Sequence, residues 1–200
     1  MNRIPKSSVS EEENRVSLAG YLLVAAPGLE DDVFSRSVCI IVEHSPTQTI
    51  GIMLNRRMAM DSDALWEQLL EGSERPANSV SYINFGGPQN GPVLAIHDNQ
   101  QLAEGGNNQG VYLSAQSDTL KKLAHETPEH CRLFVGHAVW QPSQLEKEII
   151  NGDWHVLPAV PELVFADEQA MWFRGIQTVG NGIIQAITGL STLGSRQSLN

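Results

Sequence analysis

The sequence predicts an α+β fold built on a mixed β-sheet. Runs rich in β-branched residues come in clusters and do not alternate with helical segments, which argues against a doubly wound parallel sheet. Residues 98–109 form a long irregular stretch with no clear periodicity. The chain has 200 residues, of which 41% are hydrophobic, so it can bury one sizeable core. One domain of this class is therefore expected.

Eight strands are predicted from runs of β-branched and apolar residues. Their approximate spans are residues 19–25, 37–43, 50–55, 80–85, 92–97, 110–114, 132–138 and 154–157. Cys39 lies inside the second of these runs, and neither it nor Cys131 belongs to a CxxC pair. Both cysteines are therefore expected to be buried thiols and not a disulfide.

About four helices are predicted from capping residues and apolar periodicity. Their spans are 61–72, 117–126, 143–152 and a segment that begins after 167, with a further short apolar helix over 182–190. Ser143 and Glu146 have the spacing of a capping box at the start of the third helix. Trp140 and Trp154 are expected to clamp that helix to the sheet. Gly175 weakens the fourth helix.

The two ends of the chain differ in composition from its middle. Residues 1–16 are polar, carry three consecutive glutamates and show no periodic apolar face, which predicts a disordered arm. Residues 191–200 are expected to form a flexible tail. Residues 17–190 are therefore the predicted single domain.

Charge and hydropathy exclude several classes of partner. Thirteen basic and 23 acidic residues give a net charge of −10, which opposes direct binding to nucleic acid and to anionic lipid. No basic recognition helix is visible, and no apolar run approaches the roughly 20 residues of a membrane helix. The sequence therefore predicts a cytoplasmic protein that contacts neither membrane nor nucleic acid directly, with its oligomeric state open.

Six ordered blocks of this sequence resemble the YqgE/AlgH family. The segment Gly136–Ile149, which reads GHAVWQPSQLEKEI, is similar to the family signature GW-x-P-x-QLE-x-E. The other blocks are Gly20–Pro27, Phe34–His44, Gly51–Arg56, Phe85–Pro88 with His97, and Trp154 near Pro158–Ala159. The sequence departs from the family pattern at Arg57, usually Pro, and at His137 and Val139, usually Tyr and Gly.

The resemblance carries expectations about fold and function. It implies a bifurcated sheet that curls into a partial barrel. Members of the family mostly have no assigned biochemical activity, and the name AlgH refers to a proposed transcriptional regulatory role in alginate synthesis. The resemblance, together with the lack of a catalytic constellation, therefore favours a bacterial, non-enzymatic regulatory or interaction protein with an unknown protein partner. No cofactor is predicted.

A candidate ligand site lies at the ends of predicted strands. Asn55 and Arg56 offer an amide and a guanidinium group, which suit a carboxylate or a phosphate. The backbone amides of Gly86 and Gly87 could form an anion nest. His44 and His97 complete the candidate set of ligand-binding residues. An alternative function is therefore a small-molecule (anion) binding protein or an enzyme that uses this pocket.

A purely structural role for the same residues is the alternative to this ligand site. Asn55 and the two glycines also suit turns that require a positive φ, with Arg56 paired to an acidic neighbour. On this interpretation the same residues serve the architecture of the fold and bind nothing.

Metal and nucleophilic chemistry are poorly supported. His44, His97 and His137 each end a predicted strand, and three imidazoles can hold zinc. No ligand spacing such as HExxH accompanies them, and no GxSxG, GxGxxG or GxxxxGK[ST] motif occurs. No metal site and no catalytic residue are therefore predicted, which favours a non-enzymatic protein and leaves enzymatic activity open.

Overall fold

The computed structural model describes residues 17–58, 83–107, 109–126 and 129–189. The strands there are β1 (Tyr21–Ala25), β2 (Val38–His44), β3 (Thr49–Met53), β4 (Ile83–Phe85), β5 (Leu94–His97), β6 (Gly105–Gly106), β7 (Tyr112–Ser114), β8 (Cys131–Val135), β9 (Ala138–Trp140) and β10 (Trp154–Pro158). The helices are α1 (Ser117–Glu126), α2 (Gln144–Asn151), α3 (Pro161–Val164) and α4 (Glu168–Thr188), with a 3₁₀ turn at Gln100–Leu102. The predicted α+β class with about four helices is confirmed.

The strands form two five-stranded sheets that meet at one junction. The first sheet has the order β10-β1-β2-β3-β9, and all of its pairs are antiparallel. The second has the order β4-β8-β5-β7-β6 and is mixed, because β4 and β8 are parallel. At the junction the amide of Met53 donates to Gly86 O at 2.7 Å, and the amide of Gly86 donates to Val135 O at 2.8 Å. This junction is the bifurcation that the resemblance implied.

Helices cover both faces of the first sheet. Leu22 and Val24 of β1 pack in one hydrophobic cluster with Met171 of α4. Leu23 and Ala25, whose side chains alternate to the other face, pack in a second cluster with Leu145 of α2. This arrangement fixes the start of α4 beside the sheet.

The strand prediction differs from the structure in two places. The expected strand 132–138 is two strands, since Gly136 has a φ of +80° and turns the chain from the second sheet into the first. The stretch 98–109, expected to be irregular, contains the 3₁₀ turn and β6, whose two glycines carry no side-chain pattern. Residues 80–82 of the expected strand 80–85 lie outside the described residues.

Helix α1 has the predicted bounds, and α4 begins where it was expected. Asp167 caps α4 by accepting hydrogen bonds from the amides of Gln169 and Ala170 at 3.0 and 3.2 Å. The separate helix over 182–190 is wrong, because α4 continues unbroken to Thr188. Gly175 lets this helix approach the sheet closely: a Cβ there would lie 2.9 Å from a methyl group of Val24.

The remaining comparisons with the sequence concern the ends of the chain and its helices. The predicted helix 61–72, the arm 1–16 and the tail 191–200 lie outside the described residues. Helix α3 was not predicted. Among the described helices, none has both the length and the apolar character that crossing a bilayer requires.

The predicted capping box at Ser143 is wrong. Ser143 stands at the position before α2, but its backbone is left-handed, with a φ of 61°, and its side chain makes no capping hydrogen bond. A capping hydroxyl needs an extended backbone to reach the first helical amides. Glu146 instead lies 3.5 Å from His44 Nε2. Replacement of Ser143 by alanine is therefore not expected to remove a cap.

The two tryptophans clamp α2 to the first sheet as expected. Trp140 and Trp154 are 2% and 4% exposed, and their rings meet edge to face at 6.0 Å. Both indole N–H groups donate to the same oxygen of Glu148, Oε2, at 2.9 Å each. Glu148 is therefore the residue that satisfies both buried indoles.

The cysteines are unpaired, as the sequence predicts. Cys39 is completely buried, and Cys131 is partly buried. Burial raises the pKa of each thiol to about 12, so both are protonated at neutral pH. Neither thiol has the low pKa of a reactive cysteine.

Candidate anion-binding site

A cleft of about 420 Å³ opens where the loop before β2 and the loop after β3 meet the start of α4. We call it the arginine cleft. It is lined by Arg36, Asn55, Arg56, Arg57, Glu168, Gln169 and Trp172. Three guanidinium groups and one carboxylate give this lining a net charge of +2, whereas the whole chain carries −10.

Asn55 holds the loop that precedes β2. Its Oδ1 accepts a hydrogen bond from the amide of Val38, and its Nδ2 donates to the carbonyl of Arg36, both at 2.9 Å. The end of β3 and the start of β2 are thereby joined through one side chain. Asn55 therefore positions the wall of the cleft.

Arg56 tethers the same loop from inside the cleft. Its guanidinium group donates to the carbonyl of Ser35 and, at 3.3 Å, to the carbonyl of Asn55. The side chain is partly buried. Since a guanidinium group has five N–H donors, these two bonds leave donors for a ligand.

Arg36 projects from a strained position over the aromatic wall of the cleft. Its backbone is left-handed, with a φ of 56°, a conformation that costs a non-glycine residue roughly 1–2 kcal/mol. Its guanidinium carbon lies 5.7 Å from the ring centroid of Trp172. Trp172 is itself fixed, because its indole N–H donates to Ala25 O at 2.8 Å. Such backbone strain is typical of ligand sites.

Glu168 and Arg57 form an ion pair at the edge of the cleft. Arg57 Nε donates to Glu168 Oε2, and the glutamate is only 6% exposed. Glu168 is the first residue of α4, where the positive end of the helix dipole stabilises a carboxylate. Its other oxygen, Oε1, has no hydrogen-bond partner within the described ranges.

The structure brings two of the six predicted residues, Asn55 and Arg56, into this cleft. Gly86 and Gly87 are buried at the junction of the two sheets. A Cβ on either would lie 2.2 Å from a backbone atom of Gly136 or His137. Their absence of side chains therefore serves close backbone packing, and the amide of Gly86 is already bonded to Val135.

The two predicted histidines lie elsewhere. His44 is six residues along β2 from Val38, which corresponds to about 20 Å, and its Nδ1 accepts from the amide of Leu18 at 2.9 Å. His97 is completely buried in the second sheet, with Nε2 2.9 Å from Ser114 Oγ. Burial lowers the pKa of His97 below its ordinary value of 6.5, although Asp98 and Glu104 oppose the shift.

Potential metal ligands converge at a different place. Within the described ranges the group of this kind is Asp98, Glu129 and His130, and it includes none of the three histidines considered from the sequence. Two of its three members are exposed.

Five residues of the cleft were not singled out as ligands from the sequence. In the sequence Arg57 stands out only as a departure from the family pattern, and Arg36 lies within a block that matches the family. A predicted helix start at Asp167 does place Glu168 in a first turn. No local signal, however, could show that these three side chains meet across more than 100 residues of chain.

The comparisons with known proteins identify relatives along most of the chain. The family model DUF179, described as AlgH-like, matches residues 22–183. A UPF0301 protein of Shewanella frigidimarina is 31% identical over 176 residues, covering 84% of this chain and 95% of that protein. A UPF0301 protein of Thermobifida fusca is 34% identical over 182 residues, covering 84% and 89%.

Two solved structures are similar to this one. A crystal structure of a protein from Corynebacterium diphtheriae has a TM-score of 0.64 and 29% identity, and the match covers 83% of this chain and 89% of that one. The solution structure of the AlgH protein from Pseudomonas aeruginosa has a TM-score of 0.68 and 23% identity, covering 94% and 99%. At that identity the second likeness concerns the fold alone.

Proposed function

The chain belongs to the AlgH-like family, DUF179, and on that premise we propose that it binds a small oxyanion in the arginine cleft. The observation that carries this proposal is the convergence of Arg36, Arg56 and Arg57 on one concave site in a strongly acidic chain. The three guanidinium groups repel one another at such short range, and a bound anion relieves that repulsion. The planar donor fork of arginine matches the oxygens of a carboxylate or a phosphate.

The shape of the cleft supports the same conclusion. Its volume of about 420 Å³ falls within the range of roughly 300–1,000 Å³ that is usual for small-molecule sites. Asn55 and Arg56 fix the loop that carries Arg36, and Trp172 is fixed by its bond to Ala25. The loop that carries Arg36 and the indole beside it are therefore held in place before a ligand arrives, which lowers the entropy cost of binding.

The residues of the cleft favour binding over catalysis. None of the seven lining residues supplies a hydroxyl, thiol or imidazole group, and the carboxylate of Glu168 is paired with Arg57. A non-enzymatic regulatory protein that responds to an anion fits this composition. We also propose a cytoplasmic location, supported by two free cysteines.

Replacement of Arg36 by glutamine should weaken binding of inorganic phosphate by about tenfold or more. The variant loses one charge-assisted hydrogen bond, which contributes about 1.5–3 kcal/mol. Isothermal titration calorimetry measures the dissociation constant. Arg174→Gln is the matched control, because Arg174 is exposed on α4 and does not line the cleft. Equal losses in both variants, or no binding by the unmodified protein, would contradict the proposal.

A second candidate function is interaction with another protein, favoured by an exposed apolar surface of α4. Its exposed apolar side chains are Phe173, Ile183, Ile184 and Ile187. No charged residue occurs from Gly175 to Thr188. Because each copy of the chain has a charge of −10, two copies repel each other less through this uncharged stretch than through their acidic surfaces. The partner proposed for this surface is therefore a second copy of the chain.

An aspartate introduced at Ile184 should shift a dimer to monomer in sedimentation equilibrium, because the apolar contact would then have to bury a charge. Gln185→Asp is the control. It adds the same charge about 100° around the helix from Ile184. A protein that is monomeric at all concentrations, or equal dissociation of both variants, would contradict self-association through this surface.

A further inference from the structure

We infer that the ligand of the arginine cleft is an organic dianion, namely a phosphate monoester or a dicarboxylate. This inference rests on the proposed function and names the chemical class of the ligand.

The charges that line the cleft carry the argument. Arg57 and Glu168 pair with each other. Arg36 and Arg56 make no ion pair with any residue of the described ranges, and Arg56 is bonded only to carbonyl groups there. Arginine does not deprotonate in proteins. Within the described part of the chain, two positive charges of the cleft therefore have no ion-pair partner, and a ligand with two negative charges would balance them.

The size of the cleft and the indole of Trp172 favour a ligand with a carbon skeleton. The cleft has room for a small organic molecule and not only a bare ion. The indole of Trp172 supplies an apolar wall beside the guanidinium group of Arg36, at 5.7 Å from its ring centroid. A charged end against Arg36 and Arg56 with a carbon body along Trp172 satisfies both features.

The test compares dianions with monoanions of matched shape by isothermal titration calorimetry at pH 8 and constant ionic strength. One arm uses succinate against butyrate, and the other uses phenyl phosphate against phenyl methyl phosphate. In at least one arm the dianion should bind about tenfold tighter or more, since it brings a second negative charge close to a guanidinium group. The arm that responds tells a dicarboxylate ligand from a phosphate monoester.

The Arg36→Gln variant provides the internal check. It leaves the lining with a net charge of +1, so the preference for the dianion should fall to about threefold or less, whereas Arg174→Gln should keep it. If monoanions bind as tightly as dianions, the cleft does not discriminate between anions by their charge. The inference then fails while the proposed function stands. If none of the four compounds binds but inorganic phosphate does, the inference fails and the proposed function stands, whereas both fail if phosphate does not bind either.

Discussion

Replacement of Gly86 by alanine should destabilise the protein by about 3 kcal/mol or more. The added Cβ would lie 2.2 Å from Gly136 O, which belongs to the backbone and cannot rotate away. The clash can be relieved only if the backbone segments around Gly86 and Gly136 move apart. That separation would break the bond from Met53 to Gly86, which joins the two sheets, and the bond from Gly86 to Val135, which extends the pairing of β4 with β8.

Urea unfolding followed by circular dichroism measures this loss. Gly180→Ala is the matched control, because a Cβ at Gly180 meets no atom within 4 Å and the residue lies inside α4. That variant should gain about 0.5–1 kcal/mol from helix propensity. A loss below about 1 kcal/mol for Gly86→Ala would mean that the junction is looser than this structure shows.

Replacement of Glu148 by alanine should cost roughly 2–4 kcal/mol. The carboxylate oxygen Oε2 accepts from both Trp140 and Trp154, and both indoles are almost fully buried. Without it two donors remain inside the protein with no acceptor, and each such donor costs about 1–3 kcal/mol. The loss should also release α2 from the first sheet.

Thermal and urea unfolding again provide the measurement. Glu148→Gln retains an oxygen acceptor and should lose less than the alanine variant. Lys147→Ala, an exposed change in the same helix, should stay within about 0.5 kcal/mol of the unmodified protein. Equal stability of the alanine and glutamine variants would show that the indole bonds do not hold α2.

The fold follows from the sequence where local signals agree with tertiary packing. The apolar run around Cys39 became β2, and the start of α4 was predicted because Asp167 is a strong capping residue. One strand was predicted across Gly136 because a glycine inside an apolar run does not by itself indicate a turn between two sheets. At Ser143 the spacing of a capping box was present, but the left-handed backbone came from tertiary context.

The cleft could be predicted only in part. Asn55 and Arg56 were recognised because a polar amide and a guanidinium group stood together at a strand end. Arg36, Glu168 and Trp172 come from other segments of the chain, and only the packing of α4 on the first sheet brings them together. Sequence spacing carries no information on such contacts unless a known motif encodes them.

The most direct test of the arginine cleft is the indole N–H resonance of Trp172, followed by nitrogen–proton NMR during titration with phosphate at constant ionic strength. Trp140 and Trp154 are buried around Glu148 and serve as internal references, and Trp172→Phe assigns the signal. A ligand in the cleft should shift the Trp172 resonance in a saturable way and leave the two references in place. A Trp172 resonance that does not move, or that moves together with the references, would contradict anion binding in this cleft.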